Sequence, residues 1–184
     1  MAGGVADTSL VAATDAGMHV LWNPSHFTDV NDYETWESAL LEDDDIIRRI
    51  EAGELVPINI GSDGAFQFLV RVGAVGRAPV LTRRERQYLV VSSQPYLYLS
   101  DGTARLTGVE RVCADPGPAA PALTVPAGPS AVTVHLIAWD DEPGAKDAQG
   151  QPVPGALPDF IVLIGPEDMT YRPFRTRLQT FDHD

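Results

Sequence analysis

The chain has 184 residues, a net charge of −13 at neutral pH, and 44% apolar against 21% charged side chains, a balance that builds one folded core and excludes whole-chain disorder. The charge excludes nucleic acid as the default partner, because phosphate binding needs Lys and Arg to displace counterions. With Cys113 as the only cysteine there is no internal disulfide and no cysteine cage for a metal.

Residues 1–8 are expected to form a flexible tail. Ser9–Thr14 and Met18–Trp22 have the length and β-branched content of short strands on either side of the turn Asp15-Ala16-Gly17. From Asp32, a good helix N-cap, Tyr33, Trp36, Leu40 and Leu41 recur at helical spacing and predict a first helix. The acid run Glu42-Asp43-Asp44-Asp45 opens a second short helix through Ile46, Ile47 and Ile50, with Gly53 as its C-terminal stop. Carboxylates at a helix N-terminus are stabilised by its dipole, which accounts for one or two of these acids but not for four that repel one another.

Leu55–Val72 reads as two apolar runs around Gly61-Ser62-Asp63-Gly64, and Phe66, Phe68, Val70 and Val72 alternate in the second run. An antiparallel hairpin is expected there, because Gly and Asp tolerate the positive φ of a tight reversal. Residues 73–79 form a loop. Thr82 and Glu85 make a capping box for a helix through about Val90 that displays Arg83, Arg84 and Arg86. Asp101-Gly102 predicts a second hairpin between Pro95–Ser100 and Thr103–Val109.

Three prolines make Ala114–Ala122 a loop, and Leu123–Val125 a brief strand. Ser130–Trp139 is apolar on both alternating faces, so a central strand covered on both sides is expected. Asp140–Asp159 is a polar, Pro/Gly-rich excursion, Phe160–Ile164 a final buried strand, and residues 165–184 a C-terminal extension. The whole predicts a mainly β protein, an antiparallel β-sandwich with two or three short helical insertions, as a single domain over residues 9–164. No window approaches the roughly 18 apolar residues of a membrane span. The opening MAGGVADTSL lacks the regions of a secretory signal, so a cytoplasmic, bacterial-type setting is expected.

No nucleotide-binding glycine loop, nucleophile elbow or zincin motif is present, so no catalytic residues and no cofactor are assigned. His19 and His135 lie on predicted strands and would form a metal or ligand site with Asp15 or Asp29 if the fold brought them together. Asp140-Asp141-Glu142-Pro143-Gly144 with Asp147 looks like a calcium loop, but its glycine comes one place early. Paired carboxylates for glycoside hydrolysis need a separation that spacing does not give.

Acids are concentrated in the first third, with 12 acids and 2 bases to residue 60. Such a field attracts basic partners and speeds encounter, and it also serves solubility. Ser25-His26-Phe27-Thr28, Trp36, the strand Phe66–Val72, the expected hairpin Tyr96–Leu106, the segment Leu123-Thr124-Val125-Pro126-Ala127-Gly128 leading into Val132–Trp139 and the strand Phe160–Ile164 follow one another in an order that resembles the bacterial competence protein J family. Members of that family are acidic nuclease inhibitors. The long loop after Trp139, the helix bearing Arg83–Arg86 and the last twenty residues depart from the family pattern. Pro57–Gly64 also looks like the I-G-S-D-G stretch of a toxin-immunity superfamily.

Both resemblances imply a non-enzymatic inhibitor or immunity protein that blocks a basic nuclease or toxin. In that reading Glu42, Asp43, Asp44 and Asp45 mimic phosphates and Trp36 is the apolar anchor. Trp36 shares a helix face with Leu40 and reads equally well as core. The alternatives are a ligand- or metal-binding sandwich, possibly an enzyme, and a structural or assembly subunit whose long loops make the contacts.

Overall fold

A computed structural model describes residues 5–167 and 173–182. The fold is mainly β, two sheets packed face to face with three short helices. The first strand, β1 (Ala6–Thr14), pairs antiparallel with β4 (Gly64–Val72) over its full length. It takes in residues expected in the N-terminal tail. Next to β4 lie β10 (Phe160–Pro166) and then β9 (Gly128–Ile137). Both β5 (Leu89–Ser92) and β6 (Tyr96–Ser100) pair with β9. The second sheet runs β3 (Leu55–Asn59), β2 (Met18–Trp22), β7 (Thr103–Gly108), β8 (Leu123–Thr124). The pairings are antiparallel with one exception, β10 beside β4, which is parallel.

Neither expected hairpin exists. β3 pairs with β2 in the second sheet while β4 pairs with β1 in the first, so Gly61–Gly64 carries the chain from one layer to the other. Asp101-Gly102 does the same between β6 and β7. The turn chemistry is as read: Gly61 and Gly102 have φ of 71° and 113°. Asp101 Oδ1 accepts from the Thr103 N–H at 3.2 Å and from Asn23 Nδ2 at 2.6 Å. A positive φ reverses the chain, but the partner strand is selected by cross-strand side-chain pairs and burial, and β4 finds nine partners in β1. The turn after β1 is an arch too, and Gly17 O accepts the N–H groups of Ile60 and Gly61, both at 2.9 Å.

The helices follow their caps. Asp32 caps α1 (Tyr33–Leu40), its Oδ1 accepting from Thr35 N at 2.8 Å. In α2 (Asp43–Glu51), Asp43, Asp44 and Asp45 occupy the first turn and Arg48 and Arg49 the last, as the dipole prefers, and Gly53 follows at φ 73°. The Thr82–Glu85 box opens α3 (Arg83–Gln87), which is shorter than expected because Leu89–Ser92 leave the helix as β5.

The main core lies between the sheets. Trp22, Tyr96, Tyr98, Phe68 and Phe160 are essentially fully buried, and the last two rings stack at 5.3 Å. Strand β9 is covered on both faces as read: Val132, Val134 and Leu136 enter this core, while Ile137 joins Leu81, Leu157, Ile161 and Leu163 in a second cluster. The C-terminal extension is not separate, since Phe181 is buried against Phe160 and its N–H donates to Asn59 O at 2.8 Å. Residues 168–172 and 183–184 of that expected extension lie outside the described residues. No helix among the described residues is long and apolar enough to cross a membrane.

Candidate functional site

The capping box of α1 fixes the helix so that Tyr33 and Trp36, three residues apart, share one face. Their rings stack with centroids 6.1 Å apart and planes 21° from parallel. The Trp36 indole N–H donates to Val109 O at 2.9 Å, and the Ala114 N–H donates to Val30 O at 2.8 Å. These two bonds hold the segment after β7 opposite α1. Between them opens a cleft of about 680 Å³ whose walls include Tyr33, Trp36, Leu41, Glu110, Arg111 and Cys113. Tyr33 is 71% and Leu41 47% exposed, large apolar surfaces for positions outside the core.

Trp36 is therefore half-buried, packed on the core along one edge and lining the cleft along the other. The acid run begins at the cleft, because Glu42 follows Leu41. Glu42, the N-cap of α2, makes no side-chain capping bond. Glu42, Asp43 and Asp44 are exposed and have no ion-pair partner among the described residues, whereas Asp45 is paired with Arg48.

Glu110 lines the cleft and is held from behind by the end of β1. Its Oε2 accepts from Thr14 Oγ1 at 3.0 Å and its Oε1 from Asp15 N at 3.2 Å. It folds back over Gly108, where any Cβ would collide with the carboxylate. Cys113 is a free thiol on the cleft wall, its pKa pushed up by burial, so the thiol form dominates near neutrality. Helical spacing alone does not mark Tyr33 as a surface residue, and Glu110, Arg111 and Cys113 belong to no sequence motif. The Tyr–Trp spacing puts both rings on one helix face, but the wall opposite comes from a segment some 75 residues away.

His19 and His135, which would make a metal or ligand site only if the fold brought them together, lie apart. His19 lies in the main core against Phe66 and Phe68, its Nε2 3.0 Å from Ala12 O. His135 lies on the opposite face of the first sheet, Nδ1 2.7 Å from Ser92 Oγ and Nε2 2.9 Å from Thr133 Oγ1. Asp29 is 4.0 Å from Arg49 instead, and no group of three His, Cys, Asp or Glu suited to a metal occurs among the described residues. In the loop after β9, Asp147 accepts from Gln149 N and Gln151 N, each at 2.9 Å, and Asp140 pairs with Lys146 at 3.3 Å, so these carboxylates shape the loop.

A second hollow, about 480 Å³, lies over the outer face of β1 and β4. Its one carboxylate, Glu85, is already bonded to Arg71 at 2.8 and 3.0 Å, which leaves it little free chemistry. The cleft beside α1, with the exposed Tyr33 ring on its wall and the unpaired acids Glu42, Asp43 and Asp44 next along the chain, is the better site.

No protein-family model and no curated protein matches the chain. A solved structure named crocagin biosynthetic gene J matches with a TM-score of 0.58 and 22% identity, over 91% of this chain and 99% of that one. At that identity the likeness is one of fold.

Proposed function

We propose that the chain is a non-enzymatic binding protein whose cleft and adjoining acids engage a basic protein, with a nuclease or toxin the partner class implied by the family resemblance. The observation that carries this reading is the stack of exposed Tyr33 on half-buried Trp36 in a 680 Å³ cleft lined by Leu41, after which the chain continues into the exposed Glu42, Asp43 and Asp44. Fixed acids steer a cationic partner and set specificity, while aromatic anchors in a dewetted pocket carry most of the affinity. The two parts therefore act on different rate constants. Asp45, paired with Arg48, contributes less than its three neighbours.

Partners captured from the source cell at low and at high salt and identified by mass give the ligand for a kinetic test. The triple change Glu42→Gln, Asp43→Asn, Asp44→Asn is expected to slow association and flatten its salt dependence. Tyr33→Ala is expected to speed dissociation by about tenfold, the equivalent of ~1.4 kcal/mol. Unchanged association in the triple variant would sink the steering role.

A second reading is favoured by the cleft volume, which falls in the range of small-molecule sites, roughly 300–1,000 Å³. The structural neighbour carries a biosynthetic name. A biosynthetic accessory protein holding a small apolar ligand against Tyr33 and Trp36 would show binding that salt does not alter.

A further inference from the structure

A strand at the edge of a sheet presents unpaired N–H and C=O groups, and proteins shorten, bulge, cover or interrupt such edges. Most edges here are so treated. β8 has two residues between Pro121 and Pro126. β5 has four, with a register irregularity between Leu89 and Val91. β3 carries Pro57, and its Asn59 is bridged to Thr180. β6 is tied down where Leu99 N donates to Gly53 O at 2.7 Å and Arg175 N donates to Pro95 O at 2.8 Å.

β1 is the exception. Its nine residues run beside β4 without a register break, contain no Pro, Lys or Arg, and have no strand on the other side among the described residues. Its one charge, Asp7, is held by the Arg71 guanidinium at 2.8 and 2.9 Å. The main-chain direction follows from β4. Gln67 N donates to Asp159 Oδ2 at 2.7 Å and Gly73 N to Ile164 O at 2.8 Å, so the odd-numbered residues of this run face β10 and the even ones face β1. In the observed register the even residues of β1 then bond β4, and Asp7, Ser9 and Val11 aim their N–H and C=O groups outward. Val11 is 65% exposed beside them.

We propose that this edge pairs antiparallel with the same edge of a second copy of the chain, about a two-fold axis at Ser9. That register sets Ser9 opposite its own counterpart and Asp7 opposite Val11, so roughly six main-chain hydrogen bonds form and no like charges stand opposite each other. Charge favours a second copy as the occupant. In a chain of net charge −13, the paired segment Asp7–Val11 carries a single charge, Asp7, which Arg71 already holds, and no acid of the other copy stands opposite it. The acid-rich α2 lies against β3 and β6, at the far end of the first sheet from β1. A two-fold contact uses both free edges, so assembly stops at the dimer.

Sedimentation equilibrium of the full chain across a concentration series tests this, with amide exchange at Ser9 and Val11. The expected result is a monomer–dimer equilibrium in which both amides gain protection as dimer forms. Ser9→Pro removes an outward N–H and spares the β1–β4 bonds, and Val11→Lys sets a charge at the edge. Each is expected to weaken the dimer at least tenfold with an unchanged circular dichroism spectrum. If Ser9→Pro fails to fold, Val11→Lys decides alone. A chain monomeric at every concentration, a dimer indifferent to the substitutions, or protection gained only from a different protein's extended segment would each overturn the proposal.

Discussion

His135 is 7% exposed, and burial pushes its pKa down to about 4 against a small opposing pull from Glu85. The groups packed on it are the Ser92 and Thr133 hydroxyls, so its ring is neutral in the folded state near pH 7. Its folded pKa is below the unfolded value of about 6.5, so the unfolded chain binds the proton first. The stabilisation is complete above about pH 6.5 and is lost as pH falls towards about 4, by roughly 1–3 kcal/mol. Burial lowers the pKa of His19 as well, partly offset by its bond to Ala12 O and by Glu110, so it adds in the same direction. Denaturant unfolding followed from pH 7 to 4 should show this decline, and His135→Gln should flatten it. A variant profile parallel to the parent's would assign the decline to other groups. Both residues were legible as strand histidines; their placement on different sheets, His19 in the core between the sheets and His135 on the outer face of the first, was not, because it depends on which strands stack.

Among the elements, the arches carry the largest departure from local expectation. Gly17 has φ 70°, and a Cβ there would meet the main chain of Gly61 and Ser62 at 3.3 Å, so two arches touch at this point. Gly76 has a similar φ of 76° with open space around it. Left-handed backbone costs an L-residue about 1–2 kcal/mol at either position, and only Gly17→Ala adds the crowding. Gly17→Ala is therefore expected to lower the denaturation midpoint more than Gly76→Ala. Equal losses would show that the contact between the arches contributes nothing. Gly61 and Gly102 reverse the chain at positive φ, as their sequence context predicts, but not into hairpins. Whether the strands after a turn pair with each other or with a third strand is a competition that local chemistry does not enter.

For the molecule as a whole, residues 173–182 act as a strap across the open side of the sandwich. Phe181 meets the Phe160 ring edge to face at 5.9 Å, and the Tyr96 hydroxyl donates to Arg177 O at 3.0 Å. Phe181→Ala should cost about 3–5 kcal/mol, the loss typical of a buried phenylalanine. Calorimetry showing a shift of under a degree would mean the strap lies on the fold without supporting it. The sequence suggests an extended tail that packs on the domain over residues 165–184, but a segment pinned at a few points has no periodicity to show where it docks.

The residues themselves determined the strand and helix inventory, because alternation at two and recurrence near 3.6 report which faces meet water. They determined the caps at Asp32 and Thr82, whose side chains bond within three residues. They also set the charge layout that ends in three exposed acids. The tertiary structure alone decided which strand lies beside which, and so made arches of two expected hairpins and a parallel pair of β4 and β10. It also decided that Tyr33 and Trp36 face Arg111 and Cys113 across a cleft while His19 and His135 never meet. Local preferences act over a few residues; these juxtapositions join positions tens of residues apart, and only the packing of the two sheets selects among them.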